Sequence, residues 1–128
     1  MYLVYTDVVS SSAPTKSAHP DLLEWMDRHA TLLFLSTVTI VEIESGIEKS
    51  RHSGALRKAG ALTDWLDTLL HFYAERILVL DVPVARIAGV LMERARAVGH
   101  APGMPDIVIA ATAKHRGLTI LSRNLRHF

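Results

Sequence analysis

Four short apolar runs divide this chain: Tyr2-Leu3-Val4-Tyr5, Leu32-Leu33-Phe34-Leu35, Ile77-Leu78-Val79-Leu80 and Leu118-Thr119-Ile120-Leu121. Each has the length of a strand and reads as one buried on both faces. Helical patterns fill the spaces between them. Strands that alternate with helices pair in parallel, because a parallel pair needs a long crossover connection. The pattern predicts an α/β protein whose mostly parallel sheet is covered by helices on both faces.

Caps and breakers set the helix boundaries. A Ser-, Ala- and Pro-rich loop over 10–20 leads to Asp21, read as a cap, and a helix to about His29. Ser36-Thr37 caps a helix carrying Val38, Ile40, Val41, Ile43 and Ile47, expected to break near Gly46 or shortly after. A longer helix is expected over 53–74. Pro83 opens another to Val98, with Asp81 as a strand end or cap, and Met104 to Arg116 forms the last, stopped by Gly117. In open parallel sheets the functional crevice lies beyond the carboxyl ends of the strands. That directs attention to Thr6-Asp7, Ser36-Thr37 with the helix after it, Asp81, and Ser122-Arg123-Asn124.

Composition narrows the classes. The 128 residues suit one domain, 1–128. Hydrophobic residues make up 49%, and the absence of cysteine excludes disulfides and thiolate metal sites. No apolar run approaches the roughly 20 residues that span a bilayer. The opening run reads as a strand and not a signal peptide. The net charge of +1 hides an asymmetry: residues 86–128 hold seven Lys/Arg against two Asp/Glu. Such a basic third can attract a polyanion, and solvated helix faces explain it equally well.

Three acids stand among apolar neighbours: Asp7 after the first strand, Glu42 between Val41 and Ile43, and Asp106 after Pro105. Singly, Glu42 fits an exposed helix position and Asp106 a first-turn acid favoured by the helix dipole. Together, they converge on one crevice, where unpaired carboxylates repel. A divalent cation removes that conflict, and an all-oxygen ligand set suits Mg²⁺ or Mn²⁺. Such an ion activates water and offsets charge on a scissile phosphate.

The sequence around these acids resembles the motifs of VapC-like PIN domains. LVYTDVVS is similar to their L-[LV]-D-T-[ND]-V-[IV]-S opening. STVTIVEIESGI is similar to their S-x-[IV]-T-[VI]-x-E-[IL]-x-x-G segment, with Glu42 on its acidic position. PDIVIAATAKHRGLTILSRN resembles their closing block, with Asp106 on its acid and Asn124 on a variable Asp/Asn position. The resemblance covers essentially the whole chain. It implies a PIN-like three-layer α/β/α fold with a sheet of four or five strands. It also implies an Mg²⁺-dependent endoribonuclease toxin, with Mn²⁺ able to substitute. The catalytic set it implies is Asp7, Glu42, Asp106 and Asn124, the first three as metal ligands. Its expected partners are a cognate VapB-like antitoxin, an RNA substrate such as tRNA or rRNA, and a second copy in a homodimer. The expected location is the cytoplasm, away from membranes.

The departure from the pattern is at Tyr5, which stands where the family has its first metal-binding Asp. Asp7 falls two residues later. If the strand continues, it faces the same side but is displaced by roughly 6–7 Å. A phenol is neutral at pH 7 and supplies no anion. Weak Mg²⁺ binding and reduced activity are expected. Two origins fit: an inactivating change selected because the active chain is toxic, or a naturally divergent member. The sequence of the native locus distinguishes them.

Thr6 and Ser122 are candidates for bonds to the acids or their waters. Arg123 and Arg126 are candidates for phosphate contacts, and each of these residues has an ordinary turn or surface reading beside it. The alternative function is a catalytically inactive PIN-like module that acts by antitoxin binding and dimerisation. A response-regulator-like domain fits poorly, because Asp81 and Lys114 do not occupy the positions that chemistry needs.

Overall fold

A computed structural model describes residues 1–123. Strands β1 (Tyr2–Val4), β2 (Leu33–Ser36), β3 (Ile77–Leu78) and β4 (Thr119–Leu121) form one sheet in the order β3-β2-β1-β4, and every pairing is parallel. Tyr2 lies opposite Leu33 on one side and Thr119 on the other; Leu3 lies opposite Phe34 and Ile120. The two-residue period of a strand then sorts β1 into two cores. Val4 joins Leu33 and Leu35 in the core beneath Ile43, Ile47, Leu66 and Leu69. Leu3 and Tyr5 face the opposite way, with Leu78, Ile109 and Ala113. These two apolar layers, one on each face of the sheet, are why the strand runs lack a polar face.

Among the described residues, six α-helices connect and cover the sheet: α1 (Thr6–Ser10), α2 (Pro20–Arg28), α3 (Thr37–His52), α4 (Leu56–Tyr73), α5 (Val82–Ala97) and α6 (Met104–Arg116). The expected α/β architecture is present. Among the described residues no helix is long and apolar enough to cross a membrane.

Several boundaries differ from the sequence reading. Tyr5 ends the first extended segment and α1 begins at Thr6, so Asp7 is helical and not a continuation of β1. In α2, His19 Nδ1 accepts a 3.1 Å bond from the Asp21 backbone N–H. His19 is thus the cap and Asp21 lies in the first turn. Helix α3 runs through Gly46 to His52. One interior glycine costs a helix only about 1 kcal/mol, and buried Ile43 and Ile47 anchor the segment on both sides of it. Strand β3 is confined to two residues. As read, Ser36 caps α3, its Oγ accepting from the Val38 N–H at 3.1 Å. Asp81 caps α5 through a bond from the Val84 N–H at 3.1 Å, and Gly117 closes α6 with a left-handed φ of 68°.

The end of α4 is tied to the sheet by Arg76. Its Nε donates to the Leu33 carbonyl at 2.9 Å and Nη2 to the Phe72 carbonyl at 3.2 Å. The guanidinium also lies over the Phe72 and Tyr73 rings, at 5.4 and 5.5 Å. Between these anchors, Ala74 adopts φ 35°, where a Cβ is strained. Ala74→Gly should therefore stabilise the chain by about 1 kcal/mol, read as a higher urea midpoint at unchanged slope. A lower midpoint would show that Ala74 carries no strain.

Candidate acidic site at the carboxyl ends of the strands

The parallel sheet brings the carboxyl ends of β1, β2 and β4 to one edge, and the start of α6 comes to the same place. Tyr5 follows β1 directly, and its N–H donates to the Leu121 carbonyl at 2.9 Å. The alternation of β1 turns the side chain toward α6, where it packs near Ile109 and is only 7% exposed. Its hydroxyl hydrogen-bonds Oδ1 of Asp106, in the first turn of α6.

Thr6, one residue on, starts α1 and reaches the other way. Its Oγ1 donates to Glu42 Oε1 at 2.5 Å and lies 3.1 Å from Thr39 Oγ1. Thr39 and Glu42 are three residues apart on α3 and so share a face of that helix. The sequence reading placed Thr6 as a partner of the acids, and the structure agrees. It missed Thr39, a fully buried hydroxyl. The signal was present in STVTIVEIESGI, where a threonine stands one helical turn before the acid.

Asp7 takes a third direction. Its Oδ2 accepts the Arg123 backbone N–H at 3.0 Å, and the Ser122 hydroxyl lies 3.4 Å from the same oxygen. Oδ1 is buried and meets no hydrogen-bond donor among the described residues. Because residue 7 is on a helix, the two-residue strand period does not orient it, and Asp7 is turned toward the end of β4. Ser122 thus contacts an acid, as expected, while Arg123 enters the site through its backbone. Asn124 and Arg126 lie outside the described residues.

The Tyr5 phenol touches Asp106 and feels the charges of Glu42 and Asp7 as well. Burial first, then the hydrogen bond to Asp106, then the charges of Asp106, Glu42 and Asp7 push the phenol far above its ordinary range. Tyr5 is therefore a neutral donor at every physiological pH. Among the described residues, no three His, Cys, Asp or Glu side chains are grouped so that they could hold a metal ion. With a neutral phenol on Asp106 and a threonine hydroxyl on Glu42, this donor set does not fit a divalent cation.

The chain belongs to the PIN domain family, whose model matches residues 6–128. It is 31% identical over 134 residues to plasmid stability protein StbB of Pseudomonas syringae pv. tomato, covering 100% of this chain and 91% of that protein. It is 29% identical over 110 residues to ribonuclease VapC2 of Haemophilus influenzae, covering 84% of this chain and 76% of the relative. The crystal structure of FitAcB from Neisseria gonorrhoeae superposes with a TM-score of 0.81 at 30% identity, covering 100% of this chain and 91% of that one.

The Tyr5 hydroxyl should contribute measurably to stability. Tyr5→Phe should lose about 2 kcal/mol at pH 7, the usual worth of a part-buried bond to a charged acceptor. Because the folded phenol is raised above its unfolded value of about 10, that contribution is complete below about pH 10 and fades as the pH rises. Urea unfolding of both proteins across this range should show the gap narrowing above about pH 10. A gap absent at pH 7, or widening with pH, contradicts this placement of the hydroxyl.

Proposed function

We propose that this chain is a toxin-type PIN protein built for metal-dependent RNA hydrolysis and held at low activity by Tyr5. The observation that carries the reading is the Tyr5 phenol, hydrogen-bonded to Asp106 and subject to the charges of Glu42 and Asp7 as well. The likeness to a protein named ribonuclease VapC2 supports the nuclease class, and the likeness to a protein named toxin FitB, 29% identical over 130 residues, supports the toxin class. A carboxylate at residue 5 would turn a hydrogen-bond donor into a fourth acid beside Asp7, Glu42 and Asp106. An all-carboxylate set of this kind takes Mg²⁺, or Mn²⁺ in its place, and such an ion activates water toward a phosphodiester. As the chain stands, Tyr5 and Thr6 act as neutral donors that keep Asp106 and Glu42 compatible without an ion. The partners of this reading are a VapB-like antitoxin, a second copy of the chain and a tRNA or rRNA substrate, in the cytoplasm.

A second reading has its own support. The described residues include no three-acid group able to hold a metal, and this favours a module that acts by binding antitoxin without cutting RNA.

Cleavage of total tRNA by the parent chain and by Tyr5→Asp, side by side with Mg²⁺, separates the two. The first reading expects the variant to be faster by at least the roughly 10–100-fold that losing even an outer-shell partner costs a metal site. EDTA should abolish the gain, and so should adding Asp106→Asn. If neither protein cuts, the ribonuclease reading fails and the binding module stands.

A further inference from the structure

Glu42 has a second neighbourhood. Besides meeting Thr6, it forms part of the lining of a groove of about 300 Å³ between the loop after α1 and the helices α3 and α4. Lys16 and Lys58 line this groove, with the hydroxyls of Ser10 and Ser50 and the half-buried ring of Trp65. Both lysines are exposed, and neither has an ion-pair partner among the described residues. The corner that joins α3 to α4 has the same sign. Residues 49–58 hold Lys49, Arg51, Arg57 and Lys58 and no Asp or Glu.

Helix stability does not explain this whole cluster. Lys49 and Arg51 suit the carboxyl end of α3, and Arg51 pairs with Glu48. Arg57 and Lys58, however, lie in the first turn of α4, where the dipole favours acids and disfavours cations.

We infer that this groove is the track for the RNA strand on the Glu42 side of the acidic site, with Lys16 and Lys58 gripping successive phosphates. The inference rests on the ribonuclease reading for the meaning of Glu42 and adds where the substrate strand runs. Charge complementarity selects the occupant: two unpaired cations, hydroxyl donors and an aromatic face are what a single-stranded nucleic acid uses. Continuity fixes the direction, because the lining that includes the lysines also includes Glu42. Gly46 lines the groove as well, and a Cβ built on it meets nothing within 4 Å. A larger side chain there enters the groove without disturbing the core.

Fluorescence anisotropy with an end-labelled oligouridylate of about ten nucleotides, within the usual single-strand site size, tests this on the parent chain. Lys16→Glu with Lys58→Glu should weaken binding roughly tenfold or more and lower the salt slope by about 1.4, the loss of two single-strand phosphate contacts. Gly46→Leu should weaken binding while leaving the salt slope unchanged. Arg86→Glu with Lys114→Glu, at the apolar groove between α5 and α6, should leave binding near the parent value. Unchanged binding in the Lys16/Lys58 variant overturns the inference and leaves the groove to a protein partner. Equal loss in the Arg86/Lys114 variant also overturns it, because the RNA then follows the α5–α6 face.

Cleavage by Tyr5→Asp distinguishes failure of this inference from failure of the ribonuclease reading. If that variant cuts and its KM is indifferent to the two lysines, the groove inference falls alone. If it does not cut while binding still depends on the lysines, the ribonuclease reading falls and the RNA track stands.

Discussion

The position of β1 governs the rest of the molecule. It pairs in parallel with β2 on one side and β4 on the other, so three consecutive residues at its end meet three different elements. Tyr5 turns to α6, Thr6 to α3 and Asp7 to the end of β4. The strand period sets the first direction, and the turn into α1 sets the other two. The contacts of Asp106, Glu42 and Asp7 with these three consecutive residues follow from that geometry.

What stands at position 5 sets the charge balance of that edge. Carboxylates gathered at one edge repel unless a cation or hydrogen-bond donors intervene. This chain supplies donors: a phenol for Asp106, a threonine hydroxyl for Glu42 and a backbone N–H for Asp7. The Tyr5 ring is also part of the core beside Ile109. One residue thus joins the packing of the sheet to the charge balance of the crevice. The remaining buried Asp7 oxygen has no donor among the described residues.

The sheet was legible in the sequence because its strands are buried on both faces and read as continuous apolar runs. The helices were legible from their apolar positions, and α5 and α6 also from Pro83, Asp81 and Gly117. Helix α1 was not, because Thr6-Asp7-Val8-Val9-Ser10 is five residues long and rich in β-branched side chains, which favour strands. That miss carried into the site, where Asp7 is oriented by the turn of α1 toward the end of β4 and not by the strand period. The Gly46 break failed because buried isoleucines on both sides outweigh one glycine. Motif spacing singled out Glu42 and Asp106, and the structure brings each to a hydroxyl at the end of β1, Thr6 for Glu42 and Tyr5 for Asp106. It could not reveal that Tyr5 would reach Asp106, since this depends on the register of β1 against α6, elements about a hundred residues apart in the chain. The basic corner over 49–58 is masked in the sequence because residues 1–85 taken together hold seven Lys/Arg against eleven Asp/Glu.

Under the proposed function, Tyr5 closes the acidic site to a divalent ion. Mn²⁺ binding, followed by the loss of the free-ion electron paramagnetic resonance signal, tests it most directly. The parent chain should leave the signal at its buffer value, while Tyr5→Asp should deplete it and Tyr5→Asp with Asp106→Asn should restore it. Mn²⁺ held by the parent chain as tightly as by Tyr5→Asp would contradict the account.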